Sequence, residues 1–170
     1  LISTTEMDVA VLRKRLAETP SMVGLELSSR VSTAQEYEVG PVDGAFRVAL
    51  LDFGVKRNIE RCLTERGCRV RVFPMHTTLE TLLAWKPHGI MLSNGPGDPG
   101  AMPESKKLVR AIVDSGVPVF GICLGHQLIA ESLGMATEKM HHGHRGINHP
   151  VKDLTTGRDE VTSQNHGFVV

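Results

Sequence analysis

A cysteine flanked by glycines is the position in this sequence best suited to covalent chemistry. The segment Gly121-Ile122-Cys123-Leu124-Gly125 follows a short apolar run and precedes an amphipathic one. It therefore predicts a tight turn from a strand into a helix. Such a turn displays a nucleophile at the end of a sheet, and glycines two residues before and after it relieve the crowding of the turn. Unpaired N–H groups and the helix dipole at a helix N-terminus favour the thiolate.

These features predict that Cys123 is a catalytic nucleophile. The N–H of Leu124 would then point toward the oxyanion that forms when the sulfur attacks a carbonyl carbon. The alternative is a buried, inert thiol, which is the commonest state of a free cysteine. Cys62 and Cys68 have no such elbow around them, and we expect both to be inert.

A second glycine-rich segment, residues 93–100 (SNGPGDPG), contains the spacing Gly-x-Gly-x-x-Gly. That spacing is typical of dinucleotide-binding turns, in which a helix begins inside the motif and its N–H groups surround a pyrophosphate. Here Pro96 and Pro99 each remove an N–H donor, and the next helix is predicted to begin later, near Pro103. We therefore interpret the segment as a rigid loop whose glycine N–H groups face a small ligand, with an ordinary surface turn as the alternative.

Eight histidines supply candidate bases and metal ligands. A cysteine nucleophile needs a base within hydrogen-bond reach and a group that orients the base. The cluster His141, His142, His144 and His149 lacks the ligand spacing of known zinc sites, so we expect these residues to lie in a turn near glycine and to bind no metal.

The elements that position these residues alternate between strand and helix from residue 47 onward. Short apolar or alternating runs predict strands, and we place them at residues 47–52, 69–73, 89–93 and 117–122. Apolar residues at helical spacing predict helices, and we place them at residues 55–63, 78–85, 103–115 and 124–133. This order predicts an α/β fold with a mostly parallel sheet flanked by helices on both faces.

In a parallel sheet the active site lies beyond the carboxyl ends of the strands. The glycine-rich loop and the elbow each follow a predicted strand, so we expect them to meet at that edge. Residues 1–44 do not join the alternation and hold one weak helix, Val9 to Leu16. We interpret residues 1–44 as a connector or a remnant of an N-terminal domain and residues 45–170 as the catalytic domain, with its C-terminal part missing.

The composition is that of a globular protein, with 41% hydrophobic and 22% charged residues. Nineteen basic and 19 acidic residues give a formal net charge of zero, which provides no electrostatic basis for binding nucleic acid or an anionic membrane. No apolar run approaches the ~20 residues that cross a bilayer. Three cysteines without a pairing pattern and the lack of a signal-peptide pattern favour the cytoplasm.

The elbow GICLGHQL and the loop SNGPGDP resemble those of the class I (triad) glutamine amidotransferases, a flavodoxin-like family with a cysteine nucleophile elbow. Within that family, three further stretches resemble the small, glutaminase subunit of carbamoyl phosphate synthetase: LLDFGVKRNI (51–60), GHRGINHPVKDL (143–154) and TSQNHGFVV (162–170). The resemblance is strong over residues 45–170 and looser over residues 1–44.

The resemblance implies that Cys123 hydrolyses glutamine through a cysteinyl thioester. The positions that match the family's glutamine-contacting residues are Gly95, Gly97, Leu124, Gln127, Asn165, Gly167 and Phe168. The loop glycines and the Leu124 N–H would form the oxyanion hole, so a side chain at Gly97 is expected to crowd the pocket and to turn an N–H away from the oxyanion. The resemblance implies no metal and no cofactor in this chain.

The implied partner is the large subunit of carbamoyl phosphate synthetase, which takes up the ammonia and uses ATP and Mg²⁺ in pyrimidine and arginine biosynthesis. One alternative is the amidotransferase subunit of another ammonia-using synthase, and another is a cysteine hydrolase or protein-repair protein on a similar elbow. A third is a glutaminase-like module that binds without catalysis. The Gly-Pro-Gly loop and the Asn-His-Gly-Phe segment argue against the hydrolase.

The family's base and its orienting carboxylate form a His-x-Glu pair, and no His-x-Glu occurs in these 170 residues. We expect that pair to lie beyond residue 170. In the family the position of His126 is not the base, and we assign His166 to the wall of the glutamine pocket. Residues 1–170 alone are therefore expected to be inactive, and both ends of the chain are expected to lie within a longer protein.

Overall fold

The computed structural model describes residues 3–170, and five strands form its central sheet. These strands are β1 (Tyr37–Val39), β2 (Phe46–Asp52), β3 (Cys68–Pro74), β4 (Gly89–Leu92) and β5 (Val119–Gly121). Their order across the sheet is β1-β3-β2-β4-β5. The last four are parallel to one another, and β1 pairs with β3 in the antiparallel direction.

Five α-helices, two short 3-10 helices (Ser28–Arg30 and Pro99–Ala101) and a separate two-stranded sheet complete the described part of the chain. The helices are α1 (Val9–Glu18), α2 (Arg57–Thr64), α3 (Leu79–Ala84), α4 (Pro103–Asp114) and α5 (Leu124–Ser132). The second sheet is an antiparallel hairpin of β6 (Glu138–Lys152) and β7 (Asp159–Val169). No helix within residues 3–170 is both long enough and apolar enough to cross a membrane.

Each face of the central sheet carries its own core, because successive side chains of a strand point to opposite faces. Leu51 of β2 packs with residues of α3, α4 and α5, among them Leu82, Ile112 and Leu128. Leu50 faces the other way and packs with β3 and with residues of α2. The expected α/β fold, with helices on both faces of a mostly parallel sheet, is confirmed.

The predicted elements of the alternating region agree with the structure within a few residues. Helix α4 begins at Pro103, which occupies its first turn, and α3 begins after Thr78, whose side chain accepts a hydrogen bond from the N–H of Thr81. Gly67 follows α2 with φ +78°, as expected of a residue that ends a helix. Residues 117–118 and 122 are not part of β5, which is only three residues long.

Part of residues 1–44 packs against the sheet and the glycine-rich loop. Strand β1 pairs with β3 at the edge of the sheet, so the N-terminal region does contribute to the fold, in the antiparallel direction. Glu26 forms an isolated bridge with Gly97, and the Ser32 hydroxyl accepts a hydrogen bond from the N–H of Met75. The assignment of residues 1–44 to an N-terminal domain and of residues 45–170 to the catalytic domain stays a prediction.

The hairpin of β6 and β7 corrects two expectations. The four clustered histidines lie in strand β6 rather than in a turn. The apolar residues 167–170 (GFVV) are typical of the start of a strand, whereas Phe168 lies near the end of β7. Polar and small residues alternate in both strands, so the sequence does not predict either of them. Register shifts after Lys139 and after Gly146 interrupt their pairing. Such bulges displace the alternation by which a strand is identified from sequence.

Replacing Asp52 by alanine should destabilise the fold. Its buried carboxylate accepts hydrogen bonds from the N–H groups of Gly54, Val55 and Thr33, at 2.7 to 2.8 Å. The variant leaves these donors unpaired, and we expect a loss of about 2–4 kcal/mol in the free energy of unfolding, measured by urea titration. Exposed Asp43, replaced by alanine, is the control and should lose less than about 0.5 kcal/mol. Equal losses would contradict the role of Asp52.

Candidate active site

The elbow at Cys123 holds its residue in an unusual backbone conformation. Cys123 joins β5 to α5 with φ +52° and ψ −108°. A side chain at positive φ costs free energy and persists only where the surroundings impose it. Among the described residues, only Lys86 is another non-glycine with positive φ. The predicted strand-to-helix turn is therefore present, with the thiol at the N-terminus of α5.

The two glycines of the motif are required by the closeness of the backbone. A Cβ atom at Gly121 would lie 2.5 Å from backbone atoms of Gly125 and His126. A Cβ atom at Gly125 would lie 2.3 Å from the carbonyl oxygen of Leu92, at the end of β4. The crowding expected two residues before and after Cys123 is confirmed.

The glycine-rich loop lies beside the elbow and is held by the N-terminal segment. A Cβ atom at Gly95 would lie 2.2 Å from the carbonyl oxygen of Phe53 and 2.9 Å from the side chain of Leu124. Gly97 has φ +114°, and a Cβ there would meet Leu25 and Leu27 at 2.9 and 3.0 Å. The first Cβ atom of a side chain at Gly97 would thus meet the N-terminal segment. That such a side chain also crowds the pocket and turns an N–H away from the oxyanion stays a prediction.

Asp98 fastens the loop to the N-terminal segment. Its carboxylate accepts hydrogen bonds from the N–H groups of Gly24 and Gly100, at 2.7 and 2.8 Å. Its own N–H donates to the carbonyl oxygen of Leu25 at 2.9 Å, and the Ser28 hydroxyl donates to that of Pro96 at 3.0 Å. These hydrogen bonds hold the loop to the N-terminal segment. A short 3-10 helix, Pro99–Ala101, begins inside the loop after Asp98, and the longer helix α4 begins at Pro103, as expected.

The hairpin closes the other side of the site. The Cys123 thiol donates to the carbonyl oxygen of Asn165 with a separation of 3.7 Å. Gln127, which is buried on α5, donates from its side-chain amide to the carbonyl oxygen of Phe168 at 2.8 Å. These two contacts tie the end of β7 to the elbow and to the helix that follows it.

Elbow, loop and hairpin enclose a cleft of about 830 Å³. Most of the site residues identified from the sequence line it: Gly95, Gly97, Cys123, Gln127, Asn165, Gly167 and Phe168. Leu124 does not line it, because its side chain is buried in the core, and only its N–H is directed to the thiol. Residues that the sequence analysis did not single out also line the cleft, including Met22, Lys56, Arg145, Ser163 and Gln164.

The electrostatics of Cys123 differ from the sequence-based expectation. Burial raises the pKa of the Cys123 thiol above its ordinary value. The Leu124 N–H and the positive charge of Arg145 lower that pKa, but they do not cancel the effect of burial. The helix N-terminus was expected to favour the thiolate, and its N–H does act in that direction, but desolvation outweighs it.

His166 forms hydrogen bonds with another histidine and with the backbone. His166 donates from Nδ1 to the carbonyl oxygen of Phe168 at 2.8 Å, and its Nε2 lies 2.9 Å from Gln164 Oε1 and 3.0 Å from His144 Nδ1. His166 lines the cleft, as expected of a wall residue, whereas His126 is exposed and does not. Within residues 3–170, no group of three or more His, Cys, Asp or Glu side chains is arranged to hold a metal ion.

Together, the sheet, the elbow and the adjoining cleft define an α/β domain with a cysteine at its strand-to-helix turn. The family model for class-I glutamine amidotransferases matches residues 49–170. The chain belongs to that family, whose domain hydrolyses glutamine. A solved glutamine amidotransferase from Thermotoga maritima shares the fold, with a TM-score of 0.53 and 18% identity over 73% of this chain and 61% of that one.

Within the family, the chain is similar to curated relatives that share one description. The chain is 46% identical to a carbamoyl phosphate synthase small chain of Chlorobaculum tepidum, over 100% of this chain and 47% of the relative. It is 55% identical to a carbamoyl phosphate synthase small chain of Bacillus caldolyticus, over 83% of this chain and 38% of the relative. The chain therefore spans about half the length of the curated relatives it matches.

Replacing Gly125 by alanine should destabilise the protein because the methyl group would overlap the Leu92 carbonyl. We expect a loss of about 2 kcal/mol or more in the free energy of unfolding, measured by denaturant titration. Gly89 is a matched control, since a Cβ there would meet its nearest atom at 3.5 Å, and its alanine variant should stay within about 1 kcal/mol of the parent. Similar stability of both variants would show that the elbow tolerates a side chain.

Proposed function

We propose that this chain is the glutamine-hydrolysing part of a carbamoyl phosphate synthase and acts through a cysteinyl thioester. The observation that carries the proposal is the strained Cys123 elbow, which places a thiol in a cleft beside the glycine-rich loop. The identity to carbamoyl phosphate synthase small chains supports the choice of reaction. The residues around the sulfur supply the groups for the two chemical steps of the proposed reaction.

The first step is attack of the Cys123 sulfur on the side-chain amide carbon of glutamine. A carbon–sulfur bond forms, the carbon–nitrogen bond breaks, and the nitrogen takes up a proton and leaves as ammonia. The negative oxygen of the intermediate would be stabilised by the Leu124 N–H and by N–H groups of Gly95 and Gly97. Support for Leu124 comes from its N–H, which already points at the sulfur.

The second step is hydrolysis of the thioester by water, which releases glutamate and restores the thiol. Gln127 and Asn165 bring amide groups to the cleft that suit the polar ends of glutamine. Gly167 and Phe168 would complete the substrate pocket. Both proton transfers need an acid–base group, and the family resemblance assigns that role to a His-x-Glu pair.

The ammonia would pass to the large subunit of carbamoyl phosphate synthetase, which uses ATP and Mg²⁺. The two chains would form a heterodimer in the cytoplasm and serve pyrimidine and arginine biosynthesis. No cofactor or metal is proposed for this chain. A large-subunit partner is supported by the small-chain names of its relatives.

A second candidate is a module that binds glutamine without hydrolysing it. The observation in its favour is the bonding of His166, whose two ring nitrogens already contact Phe168, Gln164 and His144. No other histidine among the described residues lines the cleft.

Selective labelling tests the nucleophile. A glutamine-like chloroketone should modify Cys123 before Cys62 or Cys68, because the cleft binds the reagent next to the sulfur, and free L-glutamine should slow the reaction. Peptide mapping by mass spectrometry reads the order. The Cys62→Ser variant should label like the parent, whereas Cys123→Ser should not label at the elbow. Equal labelling of all three cysteines would remove the basis of the proposal.

Turnover by residues 1–170 tests whether His166 acts as the base. We expect residues 1–170 on their own to release glutamate no faster than the Cys123→Ser variant. The reason is that His166, the one histidine of the described cleft lining, already has partners at both ring nitrogens. A coupled glutamate assay measures this rate. If turnover exceeds that of the variant and His166→Asn abolishes it while His126→Asn does not, then His166 is the base and our assignment of it to the pocket wall is wrong.

A further inference from the structure

Arg145 is a charged residue of the cleft to which the proposed reaction gives no role. It lies on β6 directly across from Asn165 on β7, and side chains of such pairs lie on the same face of a sheet. The carbonyl oxygen of Asn165 is the acceptor of the Cys123 thiol. Arg145 and Cys123 both line the cleft, so the hairpin brings a guanidinium into the same cleft as the sulfur.

The guanidinium has no carboxylate partner among the described residues. Ion pairs within residues 3–170 involve other arginines and lysines. Arg145 donates one hydrogen bond, from Nη1 to the carbonyl oxygen of His144 at 3.1 Å. The described lining of the cleft contains no aspartate and no glutamate, so none of these residues supplies a negative charge to balance the guanidinium.

The ionisable groups around the sulfur come from three elements. They are Arg145 from β6, His166 from β7 and Lys56 just before α2, while the loop and α5 bring only uncharged groups to the cleft. An arginine keeps its charge over the whole physiological range of pH, whereas a histidine loses its charge as pH rises. Arg145 therefore supplies a positive field that does not change with pH.

We propose that Arg145 is a positioning residue that stabilises the thiolate of Cys123 electrostatically and so keeps the nucleophile reactive inside a desolvated cleft. The proposal rests on the proposed function, because it presumes that Cys123 reacts as a thiolate. The direction of the effect is fixed by charge: a nearby cation favours the thiolate and lowers the pKa of the thiol, and its removal raises that pKa. This agrees with the lowering that Arg145 exerts on the pKa of Cys123.

The size of the effect is limited by solvent, since Arg145 is exposed. Exposed charge pairs of this kind change an equilibrium by about two- to fivefold. Below the pKa, the rate of alkylation follows the thiolate fraction, so we expect the rate at neutral pH to change by the same factor. Salt should weaken the effect because it screens exposed charges.

The test is the pH dependence of Cys123 alkylation by iodoacetamide, an uncharged reagent, in the full chain. Mass spectrometry separates Cys123 from Cys62 and Cys68, which serve as internal references. Arg145→Gln should slow alkylation of Cys123 about two- to fivefold at pH 7. It should also move the midpoint of the pH dependence of alkylation to higher pH. Arg145→Lys should restore most of the rate, and the exposed control Arg158→Gln should not change it.

Three results would overturn the proposal. The first is an unchanged midpoint in Arg145→Gln. The second is a parent protein whose midpoint does not rise in 0.5 M salt, a measurement that needs no variant and stands even if Arg145→Gln misfolds. The third is a loss confined to the anionic reagent iodoacetate, which would assign the guanidinium to an anionic ligand instead. None of these measurements uses glutamine, so failure of the glutaminase proposal would be seen separately, in the labelling and turnover assays.

Discussion

The close approach of three backbone segments at the elbow is the constraint on which the site depends. Gly121, Gly125 and the end of β4 lie so near one another that a single methyl group would overlap backbone atoms. Because the backbones lie at this distance, Cys123 is forced to positive φ and its side chain leaves the turn toward the cleft. The strain is confined to one residue and is stabilised by the core that α4 and α5 form on this face of the sheet.

The rest of the site is assembled from distant segments by a few directed contacts. Asp98 holds the N-terminal segment against the glycine-rich loop, and Gln127 holds the hairpin against α5. Both side chains are buried, so these hydrogen bonds form away from competing water and the groups cannot leave them without a desolvation cost. The walls of the cleft are therefore fixed by polar anchors, while its floor is fixed by the sheet.

The sequence predicted the parallel sheet and the elbow well because both depend on local patterns. Apolar runs marked β2 and β4, and the glycines around Cys123 marked a turn whose geometry only they permit. The sequence does not predict the hairpin, because polar residues and bulges interrupt the alternation of β6. The histidines of β6 are for the same reason expected in a turn. Arg145 and the direction of the pKa of Cys123 could not be predicted, since both depend on which distant residues surround the sulfur.

The hydrogen bond between Gly24 and Asp98 joins residues 74 positions apart in the chain. Bringing these two residues together closes a longer loop, and so costs more chain entropy, than pairing the parallel strands that are neighbours in the chain. Those strands are linked by short helices. The sheet and the glycine-rich loop should consequently form first during folding, and the N-terminal segment should dock onto a loop that is already in place. The order of folding would then leave the cleft without one of its walls until the last step.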